Sequence, residues 1–195
     1  MPTPPRTSVR DIVDAARQVV EEDGLEGLRM KRVAATVGVR APSLYKHVRN
    51  RGDLIRLVTE DVARRLAALV TGATGSGDPA QDLRAIGRAF RAFAHANPAA
   101  YGLVFGPMPD EWRAAPETLV TATEALIRAT AALAGPTHAL DAARTMVAWA
   151  HGFVSMELAG AFRMGGDVDA AFEFGIKRMV DALSTESTPA ISIPH

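Results

Sequence analysis

Residues 28–51 read Leu-Arg-Met-Lys-Arg-Val-Ala-Ala-Thr-Val-Gly-Val-Arg-Ala-Pro-Ser-Leu-Tyr-Lys-His-Val-Arg-Asn-Arg, and this stretch decides the fold. Val33, Ala34 and Val37 recur at helical spacing and give a first helix its buried stripe. Gly38 follows, the residue type that ends a helix in a left-handed conformation without steric cost. Val39 then supplies an apolar plug for the turn. Ala41-Pro42 opens a second, short helix, because a proline in the first turn lacks only an N–H that would be unpaired there. Leu44 and Val48 stand at i and i+4, share one face and anchor that helix inward. Pro42, Ser43, Tyr45, Lys46 and His47 are left mostly on the outer side, with Arg40 just before them. Cationic, aromatic and hydroxyl side chains on a short helix after a tight turn suit insertion into a DNA major groove. An ordinary helical hairpin with a solvated basic face would show the same pattern.

Working outward, Ser8 caps a first helix with Asp11 favourably placed in its first turn. Its stripe is Val9, Ile12, Val13, Ala16, Val19 and Val20, and Gly24 is read as its stop. A fourth helix spans Asp53 to Val70, its apolar residues repeating near 3.6. Residues 71–79, Thr-Gly-Ala-Thr-Gly-Ser-Gly-Asp-Pro, form a flexible break. Further helices are predicted over Ala80 to Ala96, Ala99 to Phe105, Ala115 to Ala134, Thr137 to Met164 and Val168 to Ser184, punctuated by Pro98, Gly106-Pro107, Gly135-Pro136 and Gly165-Gly166. No alternating β-branched run appears. The fold class is therefore all-α: a three-helix head with a helix-turn-helix, joined to a C-terminal helical bundle, about nine helices in all. The boundaries read as residues 1–52 for the head, 53–187 for the bundle and 188–195 for a disordered tail.

The run Gly38-Val39-Arg40-Ala41-Pro42-Ser43-Leu44-Tyr45-Lys46-His47-Val48-Arg49-Asn50-Arg51, with Asp53-Leu54 after it, resembles the DNA-binding signature of the TetR family of bacterial transcriptional regulators. The likeness is gap-free and covers residues 8 to about 60. One position departs from it: where the family carries Thr or Ser ahead of the first motif helix, this chain has Arg29, which cannot accept from the free N–H groups of a helix start. The resemblance implies DNA binding by residues 31–51. Lys31, Arg49 and Arg51 are candidate phosphate contacts. Arg40, Pro42, Ser43, Tyr45, Lys46 and His47 are candidates for base reading and nearby phosphates, with Tyr45 and His47 expected on the backbone.

The chain has 195 residues, balanced charge and no cysteine. It is long enough for a sizeable core, and it excludes disulfides and thiolate metal sites. The zero net charge hides a split: residues 1–51 carry +4 and residues 52–195 carry −4. A basic end on a neutral chain fits localised phosphate binding and excludes a general polyanion binder. The N-terminus lacks the apolar segment of a secretory signal, and the longest apolar stretch, Met146 to Phe162, is broken by His151 and Glu157. A cytoplasmic location is expected.

The predicted helix from Thr137 is apolar nearly all round after Met146, and such a helix needs cover on more than one side. A second copy of the chain would provide it, with Val147, Val154, Leu158, Phe172, Ile176, Met179 and Leu183 as the candidate interface; the centre of a monomeric bundle would provide it equally. The family resemblance implies the dimer, formed through the last two long helices. Trp149, His151-Gly152, Glu157 and Gly160 further resemble the so-called WHG subclass of TetR C-terminal regions. Phe90, Phe93, Tyr101, Phe105, Met108, Trp112, Trp149 and Phe153 come from several predicted helices. They read either as plain core or as the lining of a pocket with His151 as a polar group. The resemblance implies the second, a site for a small apolar effector. The five histidines form no ligand cluster, and no catalytic motif, cofactor fingerprint or metal site is present. The expected partners are a double-stranded palindromic operator, an unidentified effector and a second copy of the chain. A structural DNA-binding protein of the same fold, with no effector, is the alternative.

Overall fold

A computed structural model of the chain describes residues 7–184. Among these residues there are nine α-helices, one short 3-10 turn and no strand. In chain order the helices are α1 (Val9–Gly27), α2 (Met30–Val37), α3 (Ala41–Leu44), α4 (Arg51–Gly72), α5 (Pro79–Ala96), α6 (Pro98–Phe105), α7 (Pro116–Ala134), α8 (Ala139–Leu158) and α9 (Val168–Ser184). The 3-10 turn, Asp110–Trp112, lies between α6 and α7. The expected tail at 188–195 lies outside the described residues. No helix among them is long and apolar enough to cross a membrane.

The chain forms two compact units. One comprises Met1–Arg65 with Ala96–Val120, the other Leu66–His95 with Thr121–His195. The boundary read at residues 52/53 thus lies inside the first unit. Segment 96–120 joins the helix-turn-helix, an association between distant parts of the chain that no local pattern signals.

In the first unit, α1 starts at a reciprocal cap. Ser8 Oγ accepts from the Asp11 N–H at 3.1 Å, and the Ser8 N–H donates to Asp11 Oδ2 at 2.9 Å, so two otherwise free donors are satisfied. Gly24 bends the helix with φ +69° but does not end it, because the next residues resume helical geometry to Gly27. Ile12, Ala16, Val19 and Val20 of α1 are fully buried together with Leu28, Val33, Leu44, Leu54, Ile55 and Val58. Glu21 of α1 accepts the backbone N–H groups of Ala99 at 3.2 Å and Ala100 at 2.8 Å. A carboxylate from one helix thus supplies the missing N-terminal acceptor of another, α6.

In the second unit, α5, α8 and α9 pack through small residues. A Cβ on Gly87 would overlap Ile176, and one on Gly175 would overlap the Trp149 ring. Phe172 is fully buried, its ring centroid 5.3 Å from both Trp149 and Phe153. Arg91 of α5 binds Glu157 of α8 through two oxygens and also reaches Asp169 in the first turn of α9. Burial works to raise the Glu157 carboxyl, yet hydrogen bonds from Arg91 and His95 outweigh it and hold the group below its usual range.

Two further elements differ from their sequence reading. α8 stops at Leu158 rather than Met164, because Gly160 adopts φ +61° and the Ala161 N–H bonds back to the Met156 carbonyl at 2.9 Å. Gly160 is a helix terminator. Residues 73–78 form a tied loop, since Asp82 accepts the backbone N–H groups of Gly75 and Ser76, each at 3.0 Å.

Candidate nucleic-acid interface

The turn between α2 and α3 is closed by backbone bonds. Gly38 sits at φ +81°, the Gly38 N–H donates to Ala35 O at 3.2 Å, and the Val39 N–H donates to Ala34 O at 2.9 Å. This paired closure needs the left-handed conformation that glycine adopts without strain. α2 is preceded at its N-cap position by Arg29, which provides no side-chain cap. α3 is only one turn long, then tightens: His47 N bonds to Leu44 O at 2.9 Å and Val48 N to Leu44 O at 3.0 Å. Leu44 and Val48 are buried at 0% and 2% exposure, while Pro42, Tyr45, Lys46, His47 and Arg49 are exposed and Ser43 is half-buried. The anchors face the core and the donors face outward.

The cations separate by what they touch. Lys31, Arg40 and Lys46 are exposed, and among the described residues no carboxylate pairs with them. Arg49 is largely exposed and reaches Asp53 with one nitrogen at 3.2 Å. Arg51 is placed differently. Its Nε donates to Leu28 O at 2.7 Å and its Nη2 to Leu25 O at 2.6 Å, so this half-buried guanidinium fastens the end of α1 to the start of α4. Two of the five donors of this guanidinium are thus engaged on backbone carbonyls. Arg29, an exposed cation next to Met30 and Lys31, was not singled out as a contact. Its signal in the sequence was the missing cap, which conceals a positive charge at the same place.

The start of α4 locks the far end of the reading turn. Asn50 Oδ1 accepts the Asp53 N–H at 2.9 Å, and Asp53 Oδ2 accepts the Arg49 N–H at 3.0 Å. That backbone donor, followed by the Arg49 and Arg56 guanidinium groups, lowers the Asp53 carboxyl from 3.8 to about 2, against the opposing effect of burial. A folded-state value below the unfolded one means stability that is present above pH 4 and lost as pH falls toward 2. Asp53→Asn is therefore expected to cost about 1–2 kcal/mol at neutral pH, with a gap that narrows between pH 4 and pH 2. Urea midpoints of both proteins at pH 7 and pH 3 check this; a gap independent of pH would contradict it.

The remaining predicted residues fall into both units. Tyr101 stacks on Phe105 at 4.8 Å, and Met108 and Trp112 follow in the same unit. Trp149 and Phe153 lie 5.8 Å apart in the other, which also holds Phe90, Phe93 and His151. Phe172 and Phe162 complete that aromatic cluster. Of the predicted interface, Val154, Phe172 and Ile176 are 0% exposed, covered by their own chain, and a second copy cannot bury them further. Val147, Met179 and Leu183 are half-buried and Leu158 is 38% exposed. The large apolar groups left open on α8 and α9 are Leu140, Met156, Leu158 and Phe174.

A helix-turn-helix with inward anchors and an outward row of cations, on a chain otherwise wholly helical among its described residues, defines a DNA-binding protein. Residues 12–58 match the family described as bacterial regulatory proteins of the tetR family, and residues 83–179 match the tetracyclin repressor-like C-terminal domain. The chain belongs to the TetR family of transcriptional regulators. It is 28% identical over 192 residues to the uncharacterized HTH-type transcriptional regulator Rv0681 of Mycobacterium tuberculosis, spanning 95% of this chain and 85% of that one. It is 44% identical over 60 residues to the HTH-type transcriptional repressor DrrR1 of Streptomyces coeruleorubidus, a stretch covering 31% of this chain but only 22% of DrrR1. The crystal structure of SCO4313 superposes with a TM-score of 0.74 at 28% identity, covering 89% of this chain and 95% of that one.

Proposed function

We propose that this regulator is a ligand-released repressor that binds a palindromic operator as a homodimer. The observation that carries the reading is the exposed set Arg40, Pro42, Tyr45, Lys46 and His47, supported from behind by buried Leu44 and Val48. Arg40 and Lys46 donate to guanine edges, while Tyr45, His47 and Ser43 serve nearby positions. Lys31, Arg49 and Arg29 hold phosphates. Two heads on successive major grooves, roughly 34–36 Å apart, read the two halves of the site. The likeness to a repressor over the DrrR1 stretch supports the sign of regulation.

The dimer face consists of the open side of α8 and α9. Leu140, Met156 and Phe174 stand exposed there at 48%, 47% and 65%, and the uncovered Gly152 lets a partner helix approach closely. A stable interface on this face buries more than roughly 1,200 Å² in total. Phe174→Glu places a charge in it, so sedimentation at micromolar concentration shows a dimer for the unmodified chain and a monomer for the variant. A monomeric unmodified chain would sink this part of the reading.

A small apolar effector enters among Phe90, Phe93, Trp149, His151 and Phe153 of the second unit and binds one of two conformers better, and operator affinity falls reciprocally. α4, which carries the chain from one unit to the other, transmits the change. Tyr101, Phe105, Met108 and Trp112 belong to the first unit and serve its packing. The test of the whole reading is selection of a duplex from a random-sequence pool, followed by anisotropy with and without ligands that raise the melting temperature. A selected, palindromic duplex released by such a ligand is the expected result. Selection of no preferred sequence would favour a structural DNA-binding protein of the same fold.

A further inference from the structure

The reading turn is held at its far end by a tryptophan outside the DNA-contact set. Trp112 belongs to the 3-10 turn Asp110–Trp112, and its ring is seated on Gly52, the second residue of α4. A Cβ at Gly52 would stand 2.8 Å from Trp112 Nε1 and 3.3 Å from its Cδ1, so the seat exists because residue 52 has no side chain. The Arg51 guanidinium lies over the same ring, 5.7 Å from its centroid, and fastens the carbonyls of Leu25 and Leu28. On the other flank, Asp53 Oδ2 accepts the Arg49 N–H and Asn50 Oδ1 accepts the Asp53 N–H. One ring therefore bears on the point where the Tyr45–Asn50 turn becomes α4 and, through Arg51, on the end of α1. The segment that carries Trp112 is itself tied to α1, because Glu21 caps α6.

We propose that Trp112 is a positioning residue for sequence recognition, its ring setting the first turn of α4 against α1 and thereby the placement of Tyr45, Lys46 and His47 in the groove. The proposal rests on DNA reading by the head. Phosphate contacts from long Lys and Arg side chains tolerate small displacements, whereas hydrogen bonds to base edges lose strength quickly with distance and angle. Disturbing the seat thus reduces sequence preference and leaves the electrostatic attraction intact.

Gly52→Ala tests this without disfavouring the helical backbone, since Ala is the better helix former and residue 52 is not left-handed; its methyl also stands 3.3 Å from Asn50 Oδ1, a contact that Trp112→Phe leaves in place and that the double variant therefore separates from the ring. The probe is the duplex selected by the unmodified protein, compared with a scrambled duplex. The affinity ratio between the two is expected to fall roughly tenfold, with the salt slope on both unchanged. Trp112→Phe removes the Nε1 atom that the new methyl would meet, so the double variant regains most of the ratio. An unchanged ratio for Gly52→Ala, an equal loss on both duplexes, or no recovery in the double variant would overturn the proposal. Trp112 and Trp149 are the only tryptophans, which supplies a readout independent of the Gly52 variant's folding. The Trp112 contribution, taken as the difference in emission between the unmodified protein and Trp112→Phe, shifts when the selected duplex is added and not with the scrambled one; a contribution equally unresponsive to both counts against it. If the unmodified protein selects no duplex, DNA reading itself fails and the proposal falls with it.

Discussion

Alanine at Arg40, Lys46 and Arg49 together is expected to lower DNA affinity by roughly two orders of magnitude at 0.15 M salt and to flatten the log–log salt slope by about 0.9, the share of Arg49 as the phosphate contact among them, while loss of the two guanine donors reduces sequence preference. These three are the outward cations of the reading turn. Arg40 and Lys46 are exposed, and Arg49 keeps most of its guanidinium in solvent while touching Asp53 with one nitrogen. Removing them leaves the core anchors Leu44 and Val48 in place, so the melting temperature should move little. Arg51→Ala should behave in the opposite way, lowering stability through the lost Leu25 and Leu28 carbonyl bonds before it alters the salt slope. Fluorescence anisotropy between 50 mM and 300 mM salt gives both quantities. A triple variant with an unchanged slope would remove the reading turn from the DNA interface.

Phe172→Ala is expected to cost about 3–5 kcal/mol, the range for truncating a fully buried phenylalanine. Phe172 has no exposed surface. It lies against Trp149 and Phe153, and the Arg91 guanidinium covers its ring at 4.8 Å. The cavity opens beside the Arg91–Glu157 pair, whose charges depend on that apolar wall for their low-dielectric setting. The melting temperature should drop by about 10 °C for a chain of this size. Phe174→Ala, six-tenths exposed two residues away, should cost the isolated subunit little. A loss below about 1 kcal/mol at Phe172 would show that the α5–α8–α9 core is packed differently from this description.

The helix-turn-helix was legible because its information is local. Gly38 between two apolar-anchored runs, Pro42 in a first turn, and Leu44 with Val48 at i and i+4 each act within a few residues. Their geometry follows from chain sterics before any tertiary contact forms. The outward row from Arg40 to His47 follows from the same periodicity. The helices of the C-terminal region were legible on the same basis, with α9 matching at both ends. α8 did not, because Gly160 supports either a helix stop or a close approach, and the backbone bonds that choose between them are not visible in a linear pattern.

What the sequence determined by itself is therefore the class of fold, the reading turn and the face it presents, all set by spacing and backbone chemistry within single helices. What only the tertiary structure decided is which side chains were already occupied. Arg51 of the DNA set is engaged on the carbonyls of Leu25 and Leu28, Trp112 was drawn from the aromatic set to Gly52, and Val154, Phe172 and Ile176 from the outer face to the core. The physical reason is the same in each case. A guanidinium, a ring or an apolar side chain has one location, and the competition for it is settled by residues 20 to 90 positions away that no helical period brings into view.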